Sequence, residues 1–175
     1  MNIAERLVAK RRGLTSRKII RQVMAWVLYI DLPWNVEIGK NFQLLHRGAG
    51  VIIHPATKIG NNVTIAPYSG TGQLYPMDPW PMEEWPKVII EDDVLIGVDV
   101  KVLAPREGLT IGKGTIIGAG SVLNQSTGPN EVWAGIPARC IRKGPPRGSS
   151  AYQDEELKIA AEKAAEDTEG DQQAG

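Results

Sequence analysis

The chain has 175 residues, with 20 Lys/Arg against 20 Asp/Glu, and this balance gives no reason to expect a nucleic-acid partner. A single cysteine, Cys140, excludes an internal disulfide and fits a reducing compartment. No apolar run approaches the roughly 20 residues of a spanning helix, and the first 30 residues lack a signal-peptide pattern, so the expected address is the cytoplasm.

In chain order, residues 2–12 and 15–30 read as two helical segments broken near Gly13, with Ser16 as a possible N-cap. Ile19, Ile20, Val23, Trp26, Val27 and Ile30 share one face of the second. Residues 1–30 carry seven Lys/Arg and one acid. Two readings stand: a cap over the open end of the following domain, or a basic amphipathic element at an anionic membrane or acidic partner.

From Leu32 an aliphatic residue returns every six positions: Leu32, Ile38, Leu44; Ile53, Ile59, Ile65; Ile90, Ile96, Val102; Ile111, Ile117, Leu123. Gly often follows it, as at Gly39, Gly60, Gly97, Gly112 and Gly118. Six is neither 3.6 nor 2, so neither an amphipathic helix nor a hairpin explains the pattern. The period predicts a mainly β chain, a parallel β-helix of about four coils with one hexapeptide per side. Its aliphatic rows stack along the axis, and no single repeat is stable alone. The domain spans residues 31–143, between the N-terminal helical segment 1–30 and a tail 144–175.

Three insertions interrupt the period. The first holds Leu45-His46-Arg47-Gly48-Ala49-Gly50, and His54 follows shortly after; these are the two histidines of the chain. The second, from about Gly70 to Lys87, contains four prolines and two tryptophans and reads as a loop. A long loop leaving a rigid solenoid is commonly the functional part. The third follows Val102. The chain then exits through Gly128-Pro129-Asn130, and from Gly144 onward reads as a linker, a short helix near 153–166 and a disordered acidic end.

The repeat, with Ile-Gly-Ala-Gly-Ser-Val at 117–122 and Ala-Gly-Ile-Pro-Ala-Arg at 134–139, resembles the hexapeptide-repeat acyltransferases that take acetyl from acetyl-CoA. The C-terminal end is similar to galactoside and maltose acetyltransferases; residues 31–65 are more like serine acetyltransferases and their sugar O-acetylating relatives. The resemblance implies a left-handed β-helix, a homotrimer with sites between subunits, and acetyl-CoA as co-substrate. It carries CoA contacts onto Val98, Ala119, Asn124, Arg139 and Arg142. The residues agree with such a ligand: small corner residues admit a thin pantetheine arm, and Arg139, Arg142 and Lys143 offer cations to a phosphorylated nucleotide. Capping of the last coil's carbonyls is the plainer reading of the two arginines.

Acyl transfer to a hydroxyl needs a general base, because a neutral alcohol is a poor nucleophile. His46 is the candidate. Asp31, fifteen residues earlier, falls near it one layer down and would hold the imidazole's tautomer; serine acetyltransferases carry an Asp and a catalytic His at that spacing. Read from the residues alone, His46 is a corner histidine bonded to backbone, and His54 a structural turn residue. Two loop histidines of the resembled families are aromatic here, Tyr75 before Pro76 and Trp85 before Pro86. That argues against a maltose-type mechanism and against L-serine as acceptor. Tyr75, Trp80 and Trp85 are the candidate acceptor contacts, since tryptophan suits stacking on a sugar ring. The expected function is therefore O-acetylation of a sugar or sugar-containing acceptor, as in surface polysaccharide synthesis. The competing reading is a non-catalytic trimeric scaffold. A zinc enzyme on this fold would need three histidines, and two are present.

Overall fold

The computed structural model describes residues 25–27, 29–76, 81 and 84–144. The expected helix 2–12, most of 15–30, Trp80 and the tail from residue 145 onward lie outside the described residues. What is described is a three-sided parallel β-helix. Sheet one stacks β1 (Glu37–Ile38), β3 (Thr57–Ile59), β6 (Val88–Ile90) and β9 (Leu109–Ile111). Sheet two stacks β2 (Gln43–Leu44), β4 (Thr64–Ile65), β7 (Leu95–Ile96), β10 (Ile116–Ile117) and β12 (Glu131–Gly135), with β13 (Ala138–Lys143) antiparallel at its end. Sheet three stacks β5 (Gly70–Gln73), β8 (Lys101–Ala104) and β11 (Val122–Leu123). Isolated bridges from Asp31 to Ile52 and from Ile52 to Gly70 extend it to the first rung.

The aliphatic rows of the sequence are the rows of the core. Ile38, Ile59, Ile90 and Ile111 are in register on sheet one, and Leu44, Ile65, Ile96 and Ile117 on sheet two. All are buried except Ile38, which is partly so. Inward residues alternate with outward ones along each short strand, as Val88 and Ile90 are buried on either side of the exposed Ile89. The sheet-two row ends on Trp133, which pairs with Ile117 and closes the core against the β12–β13 hairpin. Its Nε1–H donates to Glu131 Oε2 at 2.8 Å, giving the buried indole its partner.

One expectation needs correction. The loop expected from Gly70 begins four residues later: Gly70–Gln73 is β5, paired in full with Lys101–Ala104. Its inward residue, Thr71, is in register with Val102 and buried, and bonds Thr57 Oγ1 at 2.8 Å. A polar residue in an aliphatic row hid this strand from the periodicity. At the other end, residues 25–27 are helical with Trp26 and Val27 exposed, and Ile30 is fully buried.

The corner between sheets one and two is a hydrogen-bonded ladder. Lys40 N–H donates to Asn61 Oδ1, Asn61 N–H to Asp92 Oδ1, Asn41 Nδ2 to Asn62 Oδ1, and Asn62 Nδ2 to Asp93 Oδ1, all between 2.6 and 3.0 Å. Asn41, Asn62 and Asp93 turn the chain with φ of 55–62°, a left-handed conformation that short polar side chains tolerate. Asp92 is held below the usual carboxylate range, first by the backbone N–H of Asn61 and then by its side chain. A side chain at Gly39 would put its Cβ 2.5 Å from the backbone of Gly60, so rung spacing itself demands glycine there.

Candidate active site

The corner between sheets two and three carries the candidate site. The exit side of the corner fixes its column: Tyr68 N–H donates to Ala49 O, Asp99 N–H to Pro67 O and Gly120 N–H to Val98 O, so Ala49, Pro67, Val98 and Ala119 share one edge of the prism. Rungs lie about 4.8 Å apart, which puts Ala49 and Ala119 at the ends of a column roughly 14 Å long, with His46 in the turn that leads into Ala49. The next residue turns left-handed on every rung: Gly50 (φ 68°), Tyr68 (61°), Asp99 (58°) and Gly120 (68°).

On the first rung this corner is longer than elsewhere. Leu44 and Ile52 are eight positions apart, whereas Ile65 to Gly70 and Ile96 to Lys101 take five. The three extra residues form a short 3-10 turn, Leu45–Gly48, in which His46 (φ 48°) is already left-handed. Gly48 is buried with Leu44 and Ile30 against its α-carbon, and Gly50 backs onto the ring of Tyr68. The turn is thus pinned at its base while His46 and Arg47 stand out from it, exposed.

Asp31 lies at the same corner. Its N–H donates to Val51 O at 2.9 Å and its carbonyl accepts from Ile53 N at 2.8 Å, the residues that leave the His46 turn. Asp31 thus pairs with Ile52 at the start of sheet three, one rung before the strand that leaves the His46 turn.

Below His46 the column is built of small residues. Gly118 N–H donates to Trp133 O and Gly120 N–H to Val98 O, each at 2.8 Å. A Cβ on Gly118 would touch that of Ala134 at 3.2 Å, and one on Gly120 would meet open space. Val98 and Ala119 are exposed on this edge. Arg139, an exposed residue, pairs with Ala134 at the foot of the column, its Nη1 donating to Ala138 O at 2.9 Å. A thin chain with a phosphorylated end fits this edge: glycine and alanine admit it, and the cation lies beyond them. Arg142 pairs with Val132 at the far end of β12, and Asn124 follows β11 at the far end of sheet three; neither joins the column within one chain.

The third corner, between sheets three and one, holds the ends of the long loop. Tyr75 is exposed just after β5, and Trp85 is half-buried before β6, its ring centroid 5.0 Å from that of His54 at 51°. His54 Nδ1 accepts from Ala56 N–H at 3.2 Å, and its Nε2 faces Gln73 Nε2 at 3.2 Å. Burial lowers the pKa of His54 below its ordinary value. His54 is a turn residue, as expected, but its hold on Trp85 and Gln73 was not legible in the sequence. Tyr68 was also missed; the signal was present, since it stands to Ile65 as Asp99 stands to Ile96. Among the described residues, no group of three or more His, Cys, Asp or Glu could hold a metal ion.

Fold and corner define a hexapeptide-repeat β-helix protein. No protein-family profile matches the chain, but its relatives narrow the class. Serine acetyltransferase of Bacillus licheniformis is 34% identical over 143 residues, 79% of this chain and 60% of that protein. Galactoside O-acetyltransferase of Escherichia coli is 35% identical over 128 residues, 68% of this chain and 61% of that protein. Among solved structures, soybean serine acetyltransferase matches with a TM-score of 0.63 at 27% identity, over 79% of this chain and 55% of that one. The chain is similar to these acetyltransferases, and spans about three-fifths of the length of these curated relatives.

Proposed function

We propose that the protein is an acetyl-CoA-dependent O-acetyltransferase acting on a sugar or sugar-containing acceptor, with His46 as general base. The observation that carries this reading is the exposed turn bearing His46 at the head of the edge lined by Val98 and Ala119, with Arg139 at its foot. Acetyl-CoA would lie along the column with its thioester towards His46 and its nucleotide towards Arg139. His46 takes the proton of the acceptor hydroxyl as the oxygen attacks the thioester carbonyl. The tetrahedral intermediate collapses, the carbon–sulfur bond breaks, and the thiolate leaves with the proton His46 had taken. Asp31 steadies the imidazolium between these steps.

The protein acts as a homotrimer in this reading. Asn124, Arg142 and the loop after β5 then reach the column from a neighbouring subunit, with Tyr75 and Trp80 against the acceptor. Trp85 in place of a loop histidine favours a sugar over L-serine. Residues 1–30, with their excess of Lys/Arg, would rest against the inner membrane face of a cytoplasmic enzyme. No described helix is long and apolar enough to cross a membrane.

The test is release of free thiol from acetyl-CoA across a panel of sugars, nucleotide-sugars and L-serine, for the parent and His46→Ala. Turnover with a sugar that disappears in the variant is the expected result. L-serine as the best acceptor would overturn the acceptor class. CoA binding without turnover on any acceptor would favour the non-catalytic scaffold.

A further inference from the structure

The third corner contains a histidine that the mechanism above does not use. His54 stands where both ends of the long loop meet the solenoid: Gln73 is the last residue of β5, and Trp85 lies three residues before β6. Its backbone N–H donates to Thr71 Oγ1 at 2.8 Å, and Thr71 is itself bonded to Thr57 in the core, so the ring's base is fixed. The ring is fixed as well. Nδ1 accepts from Ala56 N–H, so the neutral tautomer carries its proton on Nε2, which faces the Gln73 amide. The amide's orientation follows from that network, its oxygen turned to the ring. The ring face meets Trp85 in a tilted contact of the kind aromatic pairs favour.

We propose that His54 is the positioning residue of the acceptor loop. One imidazole ties the outgoing stem at Gln73 to the returning stem at Trp85. Trp85 is then an anchor, and acceptor contact near the stems falls to Tyr75, two residues beyond Gln73 and exposed. This rests on the reading of the loop as the acceptor wall. It also accounts for a tryptophan at that place: a ring committed to His54 sets the loop's geometry where a free side chain would touch the acceptor.

His54→Asn tests it while sparing the turn, because an Asn side-chain oxygen replaces Nδ1 as acceptor for Ala56 N–H. Two readouts are taken on the full chain: the Michaelis constants for acetyl-CoA and for the best sugar of the panel, and the rate of glutamyl-endopeptidase cleavage after Glu84, which needs no acceptor. Losing one aromatic contact and its hydrogen bond frees the stem about three- to tenfold more often, so His54→Asn and Trp85→Ala each raise cleavage by that factor. The sugar's KM rises similarly and that of acetyl-CoA stays unchanged. The double variant is no worse than either single one, and Trp85→Phe recovers most of the loss. Unchanged cleavage in His54→Asn, or additive effects in the double variant, overturns the proposal. If no acceptor turns over, the proposed activity fails, and the cleavage arm still decides the staple.

Discussion

Two corners of the same prism use the same backbone turn for opposite ends. Between sheets one and two the left-handed residues are Asn41, Asn62 and Asp93, and their side chains bond to one another from rung to rung. Between sheets two and three the equivalent residues are Gly50, Tyr68, Asp99 and Gly120; beside them Val98 and Ala119 face outward, as does His46 in the longer turn of the first rung. The first corner spends its polar groups on itself. The second carries three extra residues on one rung and leaves its edge open to a ligand. Stability and chemistry are thus separated by one side of the β-helix, and substitutions at the two corners should have different readouts.

The largest effect is expected at the second corner, on activity alone. His46→Ala removes the base and should lower kcat at least 100-fold, the usual reach of general-base catalysis, with the melting temperature unchanged. A matching loss of stability would mean His46 is a structural turn residue. At the first corner the sign reverses. Gly39→Val drives a branched side chain into the Gly60 backbone and should cost about 1–3 kcal/mol of stability, with CoA affinity retained in the folded fraction; denaturant unfolding reads the first and calorimetric titration the second.

The last rung of the first corner gives a pH test. Glu131, buried, accepts from Gly128 N–H and Trp133 Nε1 and pairs with Lys143 Nζ at 3.0 Å. Burial raises its pKa, but the bonds from Trp133, Lys143 and Gly128 outweigh that and hold it below the usual carboxylate range. A depressed folded pKa means the stabilisation is complete above the unfolded carboxyl value, near 4.3, and is lost as pH falls through the folded one. Glu131→Gln should cost about 1–2 kcal/mol at neutral pH, and its stability should fall less steeply than the parent's below pH ~4.5. Smallest is Asn62: Asn62→Ala loses both ladder bonds and the short polar side chain that tolerates φ 56°, about 1 kcal/mol, whereas Asn62→Gly loses the bonds but relieves the turn and should cost less, as thermal unfolding of the pair would show.

The core was legible because an aliphatic residue in one hexapeptide has a single inward position, and Ile59, Ile90 and Ile111 could only stack. Thr71 broke that reading: a buried hydroxyl paired with Thr57 occupies a row that periodicity reserves for aliphatics, and the loop was therefore begun at Gly70. The turn that carries His46 was legible from the three residues inserted at that corner. The His54–Trp85 contact was not, since thirty-one residues and a loop separate the two and no periodicity links them. Nor was the exposure of Trp26 and Val27, whose helical spacing matches that of a buried face.

The central claim is that His46 heads the column on which CoA lies. Its most direct test is carbethoxylation of His46, followed by peptide mass spectrometry with and without saturating CoA. The account predicts that CoA slows modification of His46 several-fold and leaves the rate at His54, on another corner, unchanged. Equal rates at His46 with CoA bound would contradict it and move the CoA site off this edge.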